Sequence, residues 1–166
     1  TFNRCFSHEK QRFSFARIED YIKKLANIYR YLLKQEDYVT VELSKEMDFV
    51  HLYTGVMRER FLDSFEIDIT LAEADLNRKI IPCALQVLVE NAFKHNAVGP
   101  NKKLVIEIFS ENGKIVVRNN IHLKHTPADS MGVGLKNLRE QYGVLAGKSI
   151  EIINDNEKFT VKLPLL

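Results

Sequence analysis

The dipeptide Asn112-Gly113 constrains the fold of this chain more than any other feature. Asn-Gly between two alternating apolar runs selects a two-residue turn with positive φ at both positions, which joins antiparallel strands. Leu104 to Phe109 and Ile115 to Val117 read as those strands. Glu66 to Leu71 alternates polar and apolar residues like a half-buried strand, and Ser149 to Ile153 and Lys158 to Leu163 give two more, turned at Asp155-Asn156.

Between the strands the period changes to that of helices. Ile18, Ile22, Leu25, Tyr29 and Leu32 recur at steps of four and three, a heptad seam widened by Tyr21 and Ile28. A second helix is expected from Ser44 as N-cap, with Glu46 and Asp48 in its first turn, to about Phe61. Pro82 suits the first turn of a third. There Leu85, Leu88, Val89 and Ala92 share one side, Glu90, Asn91 and Lys94 the opposite arc, and His95 its edge. His122 to Ser130 lacks periodicity and reads as a loop, after which Val133 to Tyr142 is helical again. Helices on one face of a mainly antiparallel sheet make an α/β two-layer sandwich.

Composition removes several function classes. A chain of 166 residues suits one domain, or one domain with an appendage. The net charge of +2 is spread without a basic stripe, so a nucleic-acid partner is not expected. Cys5 and Cys83 make no disulfide framework and no zinc spacing, which suits a cytosolic setting. No stretch reads as a signal peptide or approaches the roughly 20 apolar residues of a membrane span. The chain opens without Met, and excision from something longer is expected.

Two elements carry chemistry. On the third helix Glu90 and Asn91 offer the oxygen ligands that a phosphate-bound Mg²⁺ takes one or two at a time, and Lys94 a charge to set against phosphate. Glu90 and Lys94 also read as an ordinary exposed pair at i,i+4. Gly132-Val133-Gly134 leads straight into a helix, where close backbone approach and unpaired N–H groups suit a phosphate. It matches neither the Walker pattern nor the dinucleotide fingerprint, and alone it reads equally as a plain turn. Cys83 reads as a buried inert thiol. His8, His51, His122 and His125 show no ligand spacing, the last two falling in the expected loop and read as solvated.

In order, Leu88-Val89-Glu90-Asn91-Ala92-Phe93-Lys94-His95-Asn96, the Asn-Gly hairpin, G-V-G-L-K-N-L and F-T-V-K-L-P resemble the ATP-binding (Bergerat-fold) domain of histidine kinases, a superfamily shared with gyrase and the MutL repair proteins. The likeness is to the LytS-type sensor kinases, which pair with LytTR-type response regulators. Leu85-Gln86, Ile28-Tyr29-Arg30-Tyr31-Leu32-Leu33, Val41 to Glu46 and Arg60-Phe61 extend it over nearly the whole chain. The resemblance implies ATP and Mg²⁺ as cofactors. Asn91 is then the Mg²⁺ ligand, with Glu90 beside it polarising water or metal, and Lys94 and His95 face phosphates and ribose. Gly132 and Gly134 close the hinge of a lid, Leu135 follows at the nucleotide, and the Thr160 hydroxyl meets the adenine from the strand beneath. Where the family places Asp-x-Gly, this chain reads Asn119-Asn120-Ile121. The Asn119 carboxamide keeps an acceptor and a donor for adenine but forgoes the stronger charge-assisted bond.

The implied organisation is a dimerisation and histidine-transfer segment over residues 1–38, followed by the ATP-binding sandwich over 39–166. The first helix would pair with a second copy in a four-helix bundle, as the cytoplasmic part of a membrane-anchored bacterial protein. Thr1-Phe2-Asn3 resembles the end of the family's Asn-Pro-His-Phe-x-Phe-Asn, which puts the acceptor histidine two positions before Thr1, so the chain alone should not phosphorylate itself. One alternative stays open, a dimeric signalling scaffold whose pocket has decayed at Asn119 and Ile121. Against a second, an ATPase of the same superfamily, stands the helix around Tyr29 and Tyr31, whose likeness is to kinases alone.

Overall fold

A computed structural model describes residues 2–35, 38–122 and 133–166. Four helices and seven strands follow as α1 (Phe2–Gln35), β1 (Val41–Glu42), α2 (Leu43–Phe61), β2 (Phe65–Thr70), β3 (Lys79–Ile80), α3 (Ala84–His95), β4 (Leu104–Glu111), β5 (Lys114–Asn120), α4 (Val133–Ala146), β6 (Glu151–Asn154) and β7 (Lys158–Pro164).

The Asn-Gly turn forms as its composition requires, with φ 51° at Asn112 and 72° at Gly113. It closes β4 on β5, and the five-stranded sheet grows outward from that hairpin in the order β2-β4-β5-β7-β6. Only β2 runs parallel to its neighbour, β4; the remaining pairs are antiparallel. The β6–β7 turn is held by Asp155, whose carboxylate accepts the N–H groups of Glu157 and Lys158 at 3.0 and 2.6 Å. A mainly antiparallel sheet with helices on one face is the expected two-layer architecture.

Alternation decides which strand residues meet the helices. Leu104, Ile106, Ile108, Ile115, Val117, Val161 and Leu163 form one apolar face. Onto it pack Met47 and Val50 of α2, Leu85, Leu88, Val89 and Ala92 of α3, and Leu135, Leu138 and Tyr142 of α4. Each fully buried Leu or Ile contributes about 1.5–3 kcal/mol relative to exposure. The opposite face carries charge: Glu107 lies 3.2 Å from Lys158 and 3.9 Å from Arg118, and the Arg118 guanidinium covers the Phe109 ring at 5.0 Å.

Two helix starts differ from expectation. Ser44 does not cap α2, because the Leu43 and Ser44 N–H groups donate to the carbonyls of Arg78 and Leu76, at 2.8 and 3.0 Å. The small antiparallel β1–β3 ladder, too short to leave a sequence period, brings those carbonyls there. Pro82 lies just outside α3, which begins after Cys83 in a left-handed conformation at φ 61°.

Along α1, Lys24, Leu25, Ile28, Tyr31 and Leu32 are half-buried. Two of them reach α2, where the Tyr31 ring stacks on Phe49 at 4.1 Å and Lys24 pairs with Glu59 at 3.4 Å. Phe15, Ile18, Ile22, Tyr29 and Leu33 are exposed. The heptad residues therefore divide between a face on α2 and a stripe toward solvent.

Gly113→Ala should test the hairpin. A side chain at φ 72° costs about 1–2 kcal/mol, and its Cβ would stand 3.1 Å from the Arg78 guanidinium. Thermal denaturation should show a melting point lower by roughly 2–8 °C; an unchanged melt would mean that the turn tolerates another geometry.

Candidate functional site

α3 holds most of the candidate site, and its polar arc survives folding. Leu85, Leu88, Val89 and Ala92 are buried, whereas Glu90 and Lys94 are exposed and Asn91 and His95 half-buried. Glu90 accepts from the Gln86 carboxamide at 2.9 Å, one turn earlier. Tyr53 of α2 stands in the same field: burial and the charge of Glu90 push its phenol up to about 12. Tyr53 was missed in the sequence, although it lies one turn beyond Val50 on the buried side of α2.

Asn119 lies on β5 with its side chain on the helix-facing side of the sheet, opposite Ile106 of β4 and Phe159 of β7. It is almost fully buried, and its amide donates to the Asn120 carbonyl at 2.6 Å. Thr160 stands opposite Arg118 and receives that guanidinium at 3.4 Å, on the outer, charged face. Strand alternation thus turns Thr160 away from α3 and corrects the expectation that its hydroxyl meets the base from beneath. Leu135 is buried in the core at 2% exposure, so its side chain serves packing. A Cβ built on Gly134 would meet the Val87 Cγ1 at 3.2 Å, so this glycine lets the start of α4 approach α3 closely. Gly132 and His125 lie outside the described residues.

Both ends of α3 are tied by side chains that periodicity gave no reason to single out. At its C-terminus buried Asn96 donates to the Ala92 carbonyl at 2.8 Å and accepts the His122 N–H at 2.6 Å. The Ala97 N–H donates to the His122 carbonyl at 2.7 Å, and the His122 ring lies 3.2 Å from the Asn120 amide. His122 is therefore half-buried and bonded where it was expected to be solvated. At the N-terminus Glu46, in the first turn of α2, is fully buried and accepts the N–H groups of Cys83 and Leu85 at 3.0 and 3.1 Å. Cys83 itself is half-buried, not fully buried as expected, and its partial burial with the nearby Glu46 charge pushes the thiol up to about 12.

Among the described residues no group of three or more His, Cys, Asp or Glu side chains gathers to hold a metal. The donors on the arc, a carboxamide with a carboxylate beside it, suit a Mg²⁺ that brings phosphate oxygens and water as its remaining ligands. Among the same residues no helix is long and apolar enough to cross a membrane.

Comparison with known proteins agrees with the motifs. The histidine kinase family model matches residues 7–65. The sensor protein LytS of Enterococcus faecalis is 29% identical over 126 residues, 76% of this chain and 20% of that protein. The sensor protein kinase HptS of Staphylococcus aureus is 28% identical over 121 residues, 73% of this chain and 21% of that protein. The chain thus spans about a fifth of the length of these curated relatives. Among solved structures, the catalytic domain of histidine kinase ThkA superposes with a TM-score of 0.53 at 18% identity, covering 75% of this chain and 93% of that one. The cytoplasmic segment of histidine kinase QseC gives 0.55 at 17% identity, covering 90% and 93%. These matches bear out the likeness to LytS-like sensor kinases, and the superpositions the histidine kinase catalytic fold.

Glu46 makes a pH prediction. Burial pushes its carboxyl up to about 7 from 4.5 against the pull of its N–H donors. Between those values the folded chain holds a proton that the unfolded chain has lost. The stability from this group is therefore complete below about pH 4.5 and lost as pH rises through about 7, on the order of 3 kcal/mol. Urea denaturation across that window should show a fall in stability that Glu46→Gln removes; an equal fall in the variant would contradict this assignment.

Proposed function

We propose, with the relationship to sensor histidine kinases as premise, that this chain binds Mg-ATP on the polar arc of α3 and serves transfer of the γ-phosphoryl to a histidine. From there the group would pass to an aspartate of a response regulator, with the LytTR type the expected partner. The observation that supports this reading most is the side-chain division of α3. A packed helix keeps a carboxylate, a carboxamide and an amine on its outward arc, with an imidazole at the edge, while Asn119 lies on the same face of the sheet.

Bound Mg-ATP supplies an electrophilic phosphorus and a leaving ADP. The chain's own part is to position and to neutralise charge, as in other phosphoryl transfers. Asn91 would offer its carboxamide oxygen to Mg²⁺, and Glu90 would hold a water beside it. Lys94 and His95 would face the phosphates and ribose. Asn119 would meet the adenine edge with an acceptor and a donor. Gly134 and Gly132 would border the nucleotide at the start of α4. Thr160 takes no part in this reading.

The exposed stripe of α1 supports a second copy as a partner. Phe15, Ile18, Ile22, Tyr29 and Leu33 form an apolar row that a helix bundle would cover.

Thermal stabilisation tests the nucleotide site. With Mg²⁺ present, ATP at 100 times its Kd should add about 2.7 kcal/mol. That gain should vanish in Asn91→Ala, and an equal shift in the variant would put the site elsewhere. Sedimentation tests the dimer. The parent should self-associate as concentration rises and an Ile22→Asp, Tyr29→Asp variant should not, whereas a parent that stays monomeric throughout would contradict pairing through this stripe.

A further inference from the structure

One buried carboxylate connects three helices. Glu46 Oε2 accepts the Tyr31 hydroxyl of α1 at 3.2 Å and the Cys83 N–H at 3.0 Å, while Oε1 accepts the Leu85 N–H at 3.1 Å. The Gln86 N–H adds to the same field. Leu85 and Gln86 belong to the first turn of α3, whose N–H groups have no partner within the helix. The Cys83 side chain makes no capping bond. The helix that presents Asn91 is therefore capped by a residue of α2, and that residue is held in turn from α1.

We propose that Glu46 is a positioning residue through which the seating of Tyr31 on α2 sets the placement of α3, and with it the affinity for Mg-ATP. The second half rests on the nucleotide reading above. A helix advances about 1.5 Å and turns about 100° per residue, so a one-residue slip or rotation of α1 takes the Tyr31 hydroxyl off the carboxylate. Glu46 would then lean on the α3 N–H groups alone, a buried charge short of a charge-assisted donor. A movement along α1 reaches the α3 N-terminus through two consecutive hydrogen bonds.

The groups that face Glu46 leave it as the one that titrates near neutrality. Tyr31 of α1, Cys83 before α3 and Tyr142 of α4 are all pushed up by burial and by the Glu46 charge. Asp48 of α2 adds its charge at Tyr31. Protonating Glu46 weakens it as an acceptor at both ends of the relay.

Amide hydrogen exchange of α3, normalised to free-peptide rates from about pH 6 to about pH 8.5, tests the coupling in the parent, Tyr31→Phe and Glu46→Gln. A fluorescent ATP analogue with Mg²⁺ is titrated alongside. Tyr31→Phe keeps the ring on Phe49 and removes only the hydroxyl. Exchange at Leu85 and Gln86 should rise about tenfold in it, with β4 and β5 unchanged and nucleotide bound several-fold more weakly. The parent's exchange at these amides should change through about pH 7, and that of Glu46→Gln should be flat. Parent-like exchange at Leu85 and Gln86 in Tyr31→Phe overturns the proposal, as does equal nucleotide affinity in the two. If the exchange responds but the parent binds no nucleotide, the positioning of α3 stands and the nucleotide reading fails.

Discussion

α3 is anchored at its N-terminus by the Glu46 side chain of α2 and at its C-terminus by its own Asn96, bonded to the His122 backbone, and the candidate site depends on that. Its buried side fixes its height above the sheet, but apolar contact is not directional and leaves freedom to slide and turn. Hydrogen bonds to Glu46 at one end and to Asn96 and His122 at the other remove that freedom. The cost is a carboxylate in the core, and burial raises its pKa even with donors from α1 and from the start of α3. An apolar residue at position 46 would avoid this cost and would leave the first turn of α3 with unsatisfied N–H groups.

The sheet contributes a second constraint, the parity of its strands. Asn119 and Arg118 are neighbours in sequence and face opposite sides, so only the former shares a face with α3. Thr160, paired with Arg118, follows it to the outside. A base lying between α3 and β5 could be read by Asn119, while the Thr160 hydroxyl is separated from that space by the sheet itself. The outer face is stabilised instead by side-chain pairs such as Lys158–Glu107 and by the Arg118 guanidinium over Phe109, and these exposed pairs contribute little individually.

The parts of the fold with a strong period were legible in the sequence. The Asn-Gly hairpin, the buried side of α3 and the alternation of β2 and β7 all follow from spacing and turn chemistry, and they fix the architecture. What was not legible depends on pairings distant in sequence. Glu46 carries the signature of a helix first turn, and its burial becomes visible only once α3 packs over α2. Ser44 looks like a cap because no local rule shows that the Arg78 and Leu76 carbonyls come to α2. Thr160 was assigned by likeness of motif, and counting residues from the buried Val161 would have put it on the outer face. His122, placed in a loop by lack of period, is held by Asn96, whose role has no local pattern.

Nuclear magnetic resonance of the amide-labelled chain, titrated with a non-hydrolysable ATP analogue and Mg²⁺, tests the central claim most directly. The account predicts shifts concentrated on Glu90 to His95, Asn119 and the first turn of α4, with Arg118, Thr160 and Lys158 on the outer face undisturbed. Shifts centred on that outer face, or none on α3 at saturating nucleotide, would contradict it.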